Sequence, residues 1–371
     1  MFRTRFALPL LAAGLLAVPA RAADPKAAPD PAELKKVIAK AHDFLKSKQE
    51  ADGSFLKKFA GPGVSALVAA SLLKAGYPVD DPVVAKALKA LEESIKKDGG
   101  VYDRRFANYT TSLAIVTFHE ANKGGKYDKI IADAAKFVRG VQDSNGTDDK
   151  ELKFGGAGYD ANSRPDTSNT AFFLEALVAS GAKSDDPAFK KAVTFLSKAQ
   201  NLPGEYNPEA FATKATDDDK GGFVYNPFDQ TDAKSEKRTT GGGLRSEGGM
   251  TYAGLKSFLY AGVGKDDKRV KAAIDWVKRH YTLTENPGMG QAGLFYYYHT
   301  FAKAMDALGE DVFTDAKGGK HPWRKELFEQ LKKTQNDDGS WVNANKAFLE
   351  GSPELATAFA VLSLSYTAPG K

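Results

Sequence analysis

The chain has 371 residues, no cysteine and a formal charge of +5. The missing thiols exclude disulfides, thiolate zinc sites and thiol nucleophiles, so an apolar core must hold the fold. Its charges are mixed in sign along the chain, which gives nucleic acid no electrostatic footprint.

Arg3 and Arg5 precede an uncharged apolar run from Phe6 to Val18, too short to span a bilayer as a helix. Ala20-Arg21-Ala22 then places small residues where signal peptidase reads. Residues 1–22 are expected to be a secretory signal peptide, cleaved after Ala22. Cleavage removes Arg3, Arg5 and Arg21 and takes the formal charge from +5 to +2. Residues 23–31, rich in Ala and Pro, read as a linker. No later run is long enough to cross a membrane, so an exported protein is expected, periplasmic or extracellular, without a transmembrane segment after cleavage. Residues 32–371 read as one domain with an insertion at about 201–247.

From residue 32 onward two kinds of helix alternate six times. Wet-faced helices are read at Ala32–Gln49, Pro82–Lys97, Lys129–Gln142, Asp186–Gln200, Asp266–His280 and Pro322–Gln335. In the second of these Val84, Leu88, Leu91 and Ile95 recur at helical spacing, with lysines between them. Asp81-Pro82 and Asp186-Pro187 each set an N-cap before proline in the first turn. After each wet-faced helix comes one apolar nearly all round: Gly63–Ala75, Tyr109–Ala121, Thr167–Ser180, Thr251–Ala261, Leu294–Leu308 and Glu354–Tyr366. Such helices are buried on all sides, so the alternation implies an outer and an inner layer. The last inner helix is as apolar as the middle ones, where an open solenoid would need a polar cap. The expected fold class is all-α, an α/α toroid of about six helix pairs.

The wet-faced helices end in a repeated turn. Gln49, Gly53 and Phe55 recur as Gln335, Gly339 and Trp341, with echoes at residues 98–102, 154–159 and 221–225. Gln can satisfy orphan carbonyls, Gly permits the sharp turn and the aromatic covers the next pair, so these six residues read as structural.

The Gln-x-x-x-Gly-x-Trp stretch resembles the repeated motif of squalene and hopene cyclases. The alternating helices resemble the wider superfamily of terpenoid cyclases and protein prenyltransferases, and the layout is similar to some α/α-barrel polysaccharide lyases. The resemblance implies a central cavity at the inner-helix N-termini. In the cyclases an Asp-x-Asp-Asp-Thr-Ala motif opens an inner helix, and its middle Asp protonates the polyene. The matching stretch is Asp166-Thr167-Ser168-Asn169-Thr170-Ala171, with Ser168 where the acid belongs. A serine hydroxyl is too weak an acid to protonate an alkene. Asp166 begins a helix, whose dipole is expected to lower its pKa. The zinc ligands that the resemblance implies for prenyltransferases include a Cys, and the chain has none.

Four places carry candidate site residues. On Leu294–Phe301, Tyr298, Phe301, Met305 and Leu308 form an apolar stripe, while Tyr296, His299, Thr300 and Lys303 form a polar one expected to face the cavity. Tyr296 and His299 are the catalytic candidates. Arg245, Glu247 and Tyr252, among glycines before an inner helix, are candidates for holding an anion. Asn108 and Tyr109 begin another inner helix that also carries His119, and join Asp166 and Asn169 as ligand-binding candidates. Asp217–Asp219 and the Asp143–Glu151 run do not fit a calcium loop, so no metal is expected, and no cofactor.

The reading that follows is an exported toroid with an aromatic central cavity for a small-molecule, lipid or glycan ligand, and not an active squalene cyclase. A polysaccharide lyase using Tyr296 and His299 as base and acid, with Arg245 or Asn108 neutralising a uronate, is the enzymatic alternative. A non-catalytic interaction scaffold is the other.

Overall fold

The structure is a computed structural model and describes residues 27–368. The expected signal peptide and the start of the expected linker lie outside the described residues. In chain order the helices are α1 (Pro31–Lys48), α2 (Lys57–Ala60), α3 (Gly63–Lys74), α4 (Pro82–Glu92), α5 (Ala107–Glu120), α6 (Asp128–Asp143), α7 (Thr167–Ala179), α8 (Pro187–Lys198), α9 (Ala210–Thr213), α10 (Gly248–Tyr260), α11 (Lys268–Arg279), α12 (Leu294–Leu308), α13 (Trp323–Thr334) and α14 (Pro353–Ser365). Among the described residues the only strands are β1 (Phe313–Thr314) and β2 (Lys320–His321), an antiparallel pair.

The two helix classes sort into two layers, as an apolar circumference demands. Helices α3, α5, α7, α10, α12 and α14 each touch the next, and α14 returns to α3, so the inner layer closes. Four outer helices pack chiefly on the inner helix before them, α4 on α3, α6 on α5, α8 on α7 and α11 on α10, while α13 packs on α12 and α14 alike. Helix α1 packs on α14, completing the ring. The chain is an α/α toroid. Asp81 and Asp186 cap α4 and α8 as their sequence predicts, accepting from Val83 N at 3.0 Å and Ala188 N at 2.9 Å.

The repeated turn supplies the stitching. Gln49, Gln142, Gln200 and Gln335 each donate from Nε2 to the carbonyl of their own turn glycine and to a carbonyl in the next outer helix around the ring. For Gln335 that second acceptor is Val37 O of α1, at 3.0 Å, across the closure. Two residues after each glycine lies a buried position: Phe55, Val101, Ala157, Phe223 and Trp341. Its N–H donates to a Ser or Thr hydroxyl on the following inner helix at 2.9–3.0 Å. Tyr102, Tyr159 and Tyr225 of the sequence echoes are out of this register, so Tyr159 and Tyr225 are free to point elsewhere.

Some boundaries differ from expectation. Helix α4 stops at Glu92 because Ile95 pairs with Val101 across the glycine turn. Helix α10 starts at Gly248, where a Cβ would lie 2.5 Å from Pro287 Cδ, so a missing side chain admits the loop that follows α11. Ala27 and Ala28, read as linker, are buried, and Ala27 O accepts from Lys325 N at 3.3 Å. The insertion contains α9 and a short turn of 3-10 helix at Pro227–Thr231, and is pinned by Asn201 Nδ2 donating to Leu244 O at 2.8 Å.

Candidate functional site

The N-terminal ends of all six inner helices converge on one cavity of about 260 Å³. Each contributes wall: Val64 from α3, Tyr109 from α5, Ser168 from α7, Met250 from α10, Tyr296 from α12 and Phe359 from α14. Loops add Phe106, Tyr159, Tyr225, Met289, Phe348 and Leu349. The charged residues of the wall are Glu247 and Glu350, with no Lys, Arg or His among the described residues that line it.

Backbone strain concentrates at the mouth. Phe106, Phe348 and Leu349 have φ of 59°, 57° and 64°, a left-handed conformation that costs a non-glycine residue about 1–3 kcal/mol. All three belong to the wall. Phe348 is 62 % exposed and Phe59, on α2 next in the chain to the wall residue Ala60, is 76 % exposed. Exposed large apolar side chains grouped at a cavity mouth are typical of a binding site.

The polar groups in the wall are mostly satisfied within the protein. Ser168 Oγ and Tyr296 OH lie 2.9 Å apart. Glu350 caps α12, accepting from Tyr296 N at 2.8 Å and from Asn343 Nδ2 at 2.7 Å, while burial pushes its carboxyl up. Glu247 pairs with Lys237, whose ammonium sits 4.6 Å from the Tyr225 ring centre. Behind the wall Asp166 caps α7, accepting from Asn169 N and Asn169 Nδ2, both at 2.8 Å. The helix-dipole argument for a lowered Asp166 pKa does not hold. Burial raises it to about 6, outweighing the opposing hydrogen bonds from Asn169 and Tyr225.

The sequence candidates separate into three groups. Tyr296, Tyr109 and Glu247 reach the wall. Asp166, Asn169 and Asn108 form a buried layer behind it, with Asn108 Nδ2 donating to Gly158 O at 2.9 Å. The others lie away from it. His299 is one turn deeper than Tyr296, stacked on Phe172 with ring centres 6.0 Å apart. Neither of its ring nitrogens has a hydrogen-bond partner among the described residues. Burial, then the Lys303 ammonium, pushes His299 well below its ordinary pKa, so the ring is neutral. Arg245 contacts Met289 Sδ at 3.2 Å from outside the wall, and Tyr252 packs in the core, edge-on to Phe301 at 5.0 Å.

Sequence reasoning did not find Tyr159, Tyr225, Glu350 or the Glu175 cluster. The two tyrosines looked like turn aromatics, and Glu350 lies in an irregular loop. Glu175 accepts from Lys256 Nζ at 2.8 Å and also pairs with Lys303, deep in the ring. Burial alone would raise Glu175, but the two ammonium groups outweigh it and lower its pKa. The same burial lowers Lys303 to about 8. A lone Glu in α7 and a lone Lys in α10, both otherwise apolar helices, were the available signal. Among the described residues no cluster of His, Asp and Glu is arranged to hold a metal ion.

Chemically, this is an aromatic cavity that solvates an apolar group, with carboxylates at its edge and no cation in its wall. The family model of the squalene-hopene cyclase C-terminal domain matches residues 56–217. No curated protein matches the chain. Among solved structures, the chain is similar to a type II terpene cyclase from Scytonema, with 14% identity over 91% of this chain and 98% of that one, TM-score 0.50. It is also similar to an alpha-amylase from Clostridium perfringens, with 11% identity over 88% and 96%, TM-score 0.53. A third is the protein geranylgeranyltransferase-I of Candida albicans, with 11% identity over 89% and 90%, TM-score 0.51. At these identities the likeness is one of fold, and the three activities differ, so the fold alone does not select among them.

Proposed function

Since the chain has the α/α-toroid fold of the terpenoid cyclase and protein prenyltransferase superfamily, we propose that its central cavity binds a small apolar ligand, a lipid or isoprenoid group, and that the protein works after export. The observation that carries this is the wall: aromatic and aliphatic side chains from all six inner helices around open space. Burial of apolar ligand surface against such a wall is worth about 25 cal/mol per Å². The lyase reading needs Tyr296, His299 and either Arg245 or Asn108 at one point, and of these four only Tyr296 lines the cavity. A scaffold that had lost its site would have filled the space with side chains. Squalene cyclisation lacks the family's acid at the matching position, because Ser168 stands there, hydrogen-bonded to Tyr296, and Asp166 lies behind the wall.

The test is displacement of a fluorescent apolar probe, 1-aminoanthracene, from the purified protein. Val64→Trp fills the cavity and is expected to abolish probe binding while the helical circular dichroism is retained. Equal binding by wild type and Val64→Trp would rule the cavity out as the site. Incubation with squalene is expected to give no cyclised product by mass spectrometry, and hopene-type products would overturn that part of the reading.

A further inference from the structure

Lys237 belongs to the insertion, yet its ammonium is planted at the edge of the cavity. It pairs with Glu247 and lies 4.6 Å from the centre of the Tyr225 ring, and both residues are wall. Resting on the apolar-cavity reading above, we propose that the ligand is an organic cation, an ammonium group on a compact apolar body, and that it binds in competition with Lys237.

Three observations support this. The first is the sign of the wall. Its carboxyls are those of Glu247 and Glu350, and its aromatic rings carry electron-rich faces. A carboxylate or phosphate entering there would meet no cation of the wall itself, and the Lys237 ammonium at its edge is already paired with Glu247, so burying that charge is costly. A cation would meet ring faces and carboxylate oxygens, which attract it most strongly where water is excluded. The second is what remains unspent. Asn286 uses its amide on Gly249 N and Ala292 O, and Glu350 uses both oxygens. Glu247 Oε2 accepts no hydrogen bond from a described residue, so this carboxylate has capacity beyond Lys237.

The third is the construction of the Lys237 contact. The residue sits at the foot of a hairpin in which Arg238 bridges Leu244, and its carbonyl accepts from Arg245 N at 2.8 Å. Its side chain is 25 % exposed. The ammonium can therefore withdraw to water by side-chain rotation, with no inner helix unpacked. In the present arrangement the protein's own cation holds the place that a ligand's cation would take. The size also fits. A cavity of about 150 Å³ takes benzene, so about 260 Å³ holds an aromatic ring and a few further heavy atoms.

The experiment is isothermal titration of the full chain with two probes of one shape, benzyltrimethylammonium and its uncharged counterpart neopentylbenzene, and with phenylacetate as the anion. The cation is expected to bind about tenfold more tightly than neopentylbenzene, and phenylacetate more weakly than either. Lys237→Met is expected to tighten the cation about threefold or more, by removing its competitor, and to leave neopentylbenzene unchanged. If neopentylbenzene or phenylacetate matches the cation on the wild-type chain, the inference is overturned while the apolar cavity stands. The same holds if Lys237→Met shifts the charged and uncharged probes alike. If none of the three binds, the cavity reading fails and this inference falls with it. The wild-type comparison does not depend on how the variant folds.

Discussion

Asp166 sets two demands against each other. Its carboxylate caps α7, which favours the charged form, and it is buried, which favours the neutral one. Burial prevails, and the folded pKa of about 6 stands above the ordinary 3.8. A carboxyl raised on folding contributes stability that is complete below its unfolded pKa and is lost as pH rises through the folded one. From these two values the full loss is about 3 kcal/mol, of which about 2 kcal/mol falls between pH 4 and 7. Asp166→Asn removes the titration and keeps an oxygen to accept from Asn169 N. Asn169 Oδ1, which has no partner now, can accept from the new amide. Urea unfolding of wild type and Asp166→Asn is expected to show the wild type losing ground steadily from pH 4 to 7. Parallel pH profiles would mean that Asp166 is ionised across that range.

At the scale of the element, the repeated turn does what its spacing suggests and more. Gly339 has φ of 89°, and a Cβ there would lie 2.2 Å from Lys40 O on α1. Gly309, which ends α12 with φ of 69°, has nothing within 4 Å of an added Cβ. Both glycines avoid left-handed strain, but only Gly339 also lets two helices approach. Gly309→Ala is expected to cost about 1–2 kcal/mol, the price of the conformation alone. Gly339→Ala is expected to cost about 3 kcal/mol or more, since α1 must also be displaced. Chemical denaturation decides, and equal losses would show that close approach is not what keeps Gly339. Trp341 is fully buried and donates from Nε1 to Leu331 O at 2.8 Å, so Trp341→Ala is expected to cost about 3–5 kcal/mol. Probe binding by that variant should decline only with its folded fraction. A stable variant that no longer binds would move Trp341 from the frame into the site.

Closure governs the whole molecule. An open row of repeats can unravel from one end, because each repeat leans only on its neighbours. Here α1 packs on α14 and α14 on α3, so no helix pair is terminal. All three tryptophans, Trp276, Trp323 and Trp341, are buried in the C-terminal third, whereas helix runs through the entire ring. Thermal unfolding followed by tryptophan fluorescence and by far-ultraviolet circular dichroism is therefore expected to coincide in one transition. Helix loss that precedes the fluorescence change would show the N-terminal pairs melting first, as an open solenoid allows.

Periodicity and local turn chemistry determined the layers, the six-fold alternation and the stitching residues Gln49, Gly53, Gln335 and Gly339. These are short-range properties, set by which faces of a helix can be wet and where a turn can form. They also placed Tyr296, Tyr109 and Glu247 at the cavity, because an inner helix brings its first turn there. Spacing along one helix cannot say how deep a polar residue sits, so Tyr296 and His299 looked equivalent although only Tyr296 meets open space. Asp166 looked like a helix cap with a lowered pKa because the dipole is local, while burial belongs to the whole packed ring. Tyr159, Tyr225, Glu350 and Lys237 come from loops whose paths no periodic pattern encodes. Only the tertiary structure, by closing the ring and folding the insertion against its mouth, decided that these residues share a cavity wall with the inner helices or, for Lys237, abut it.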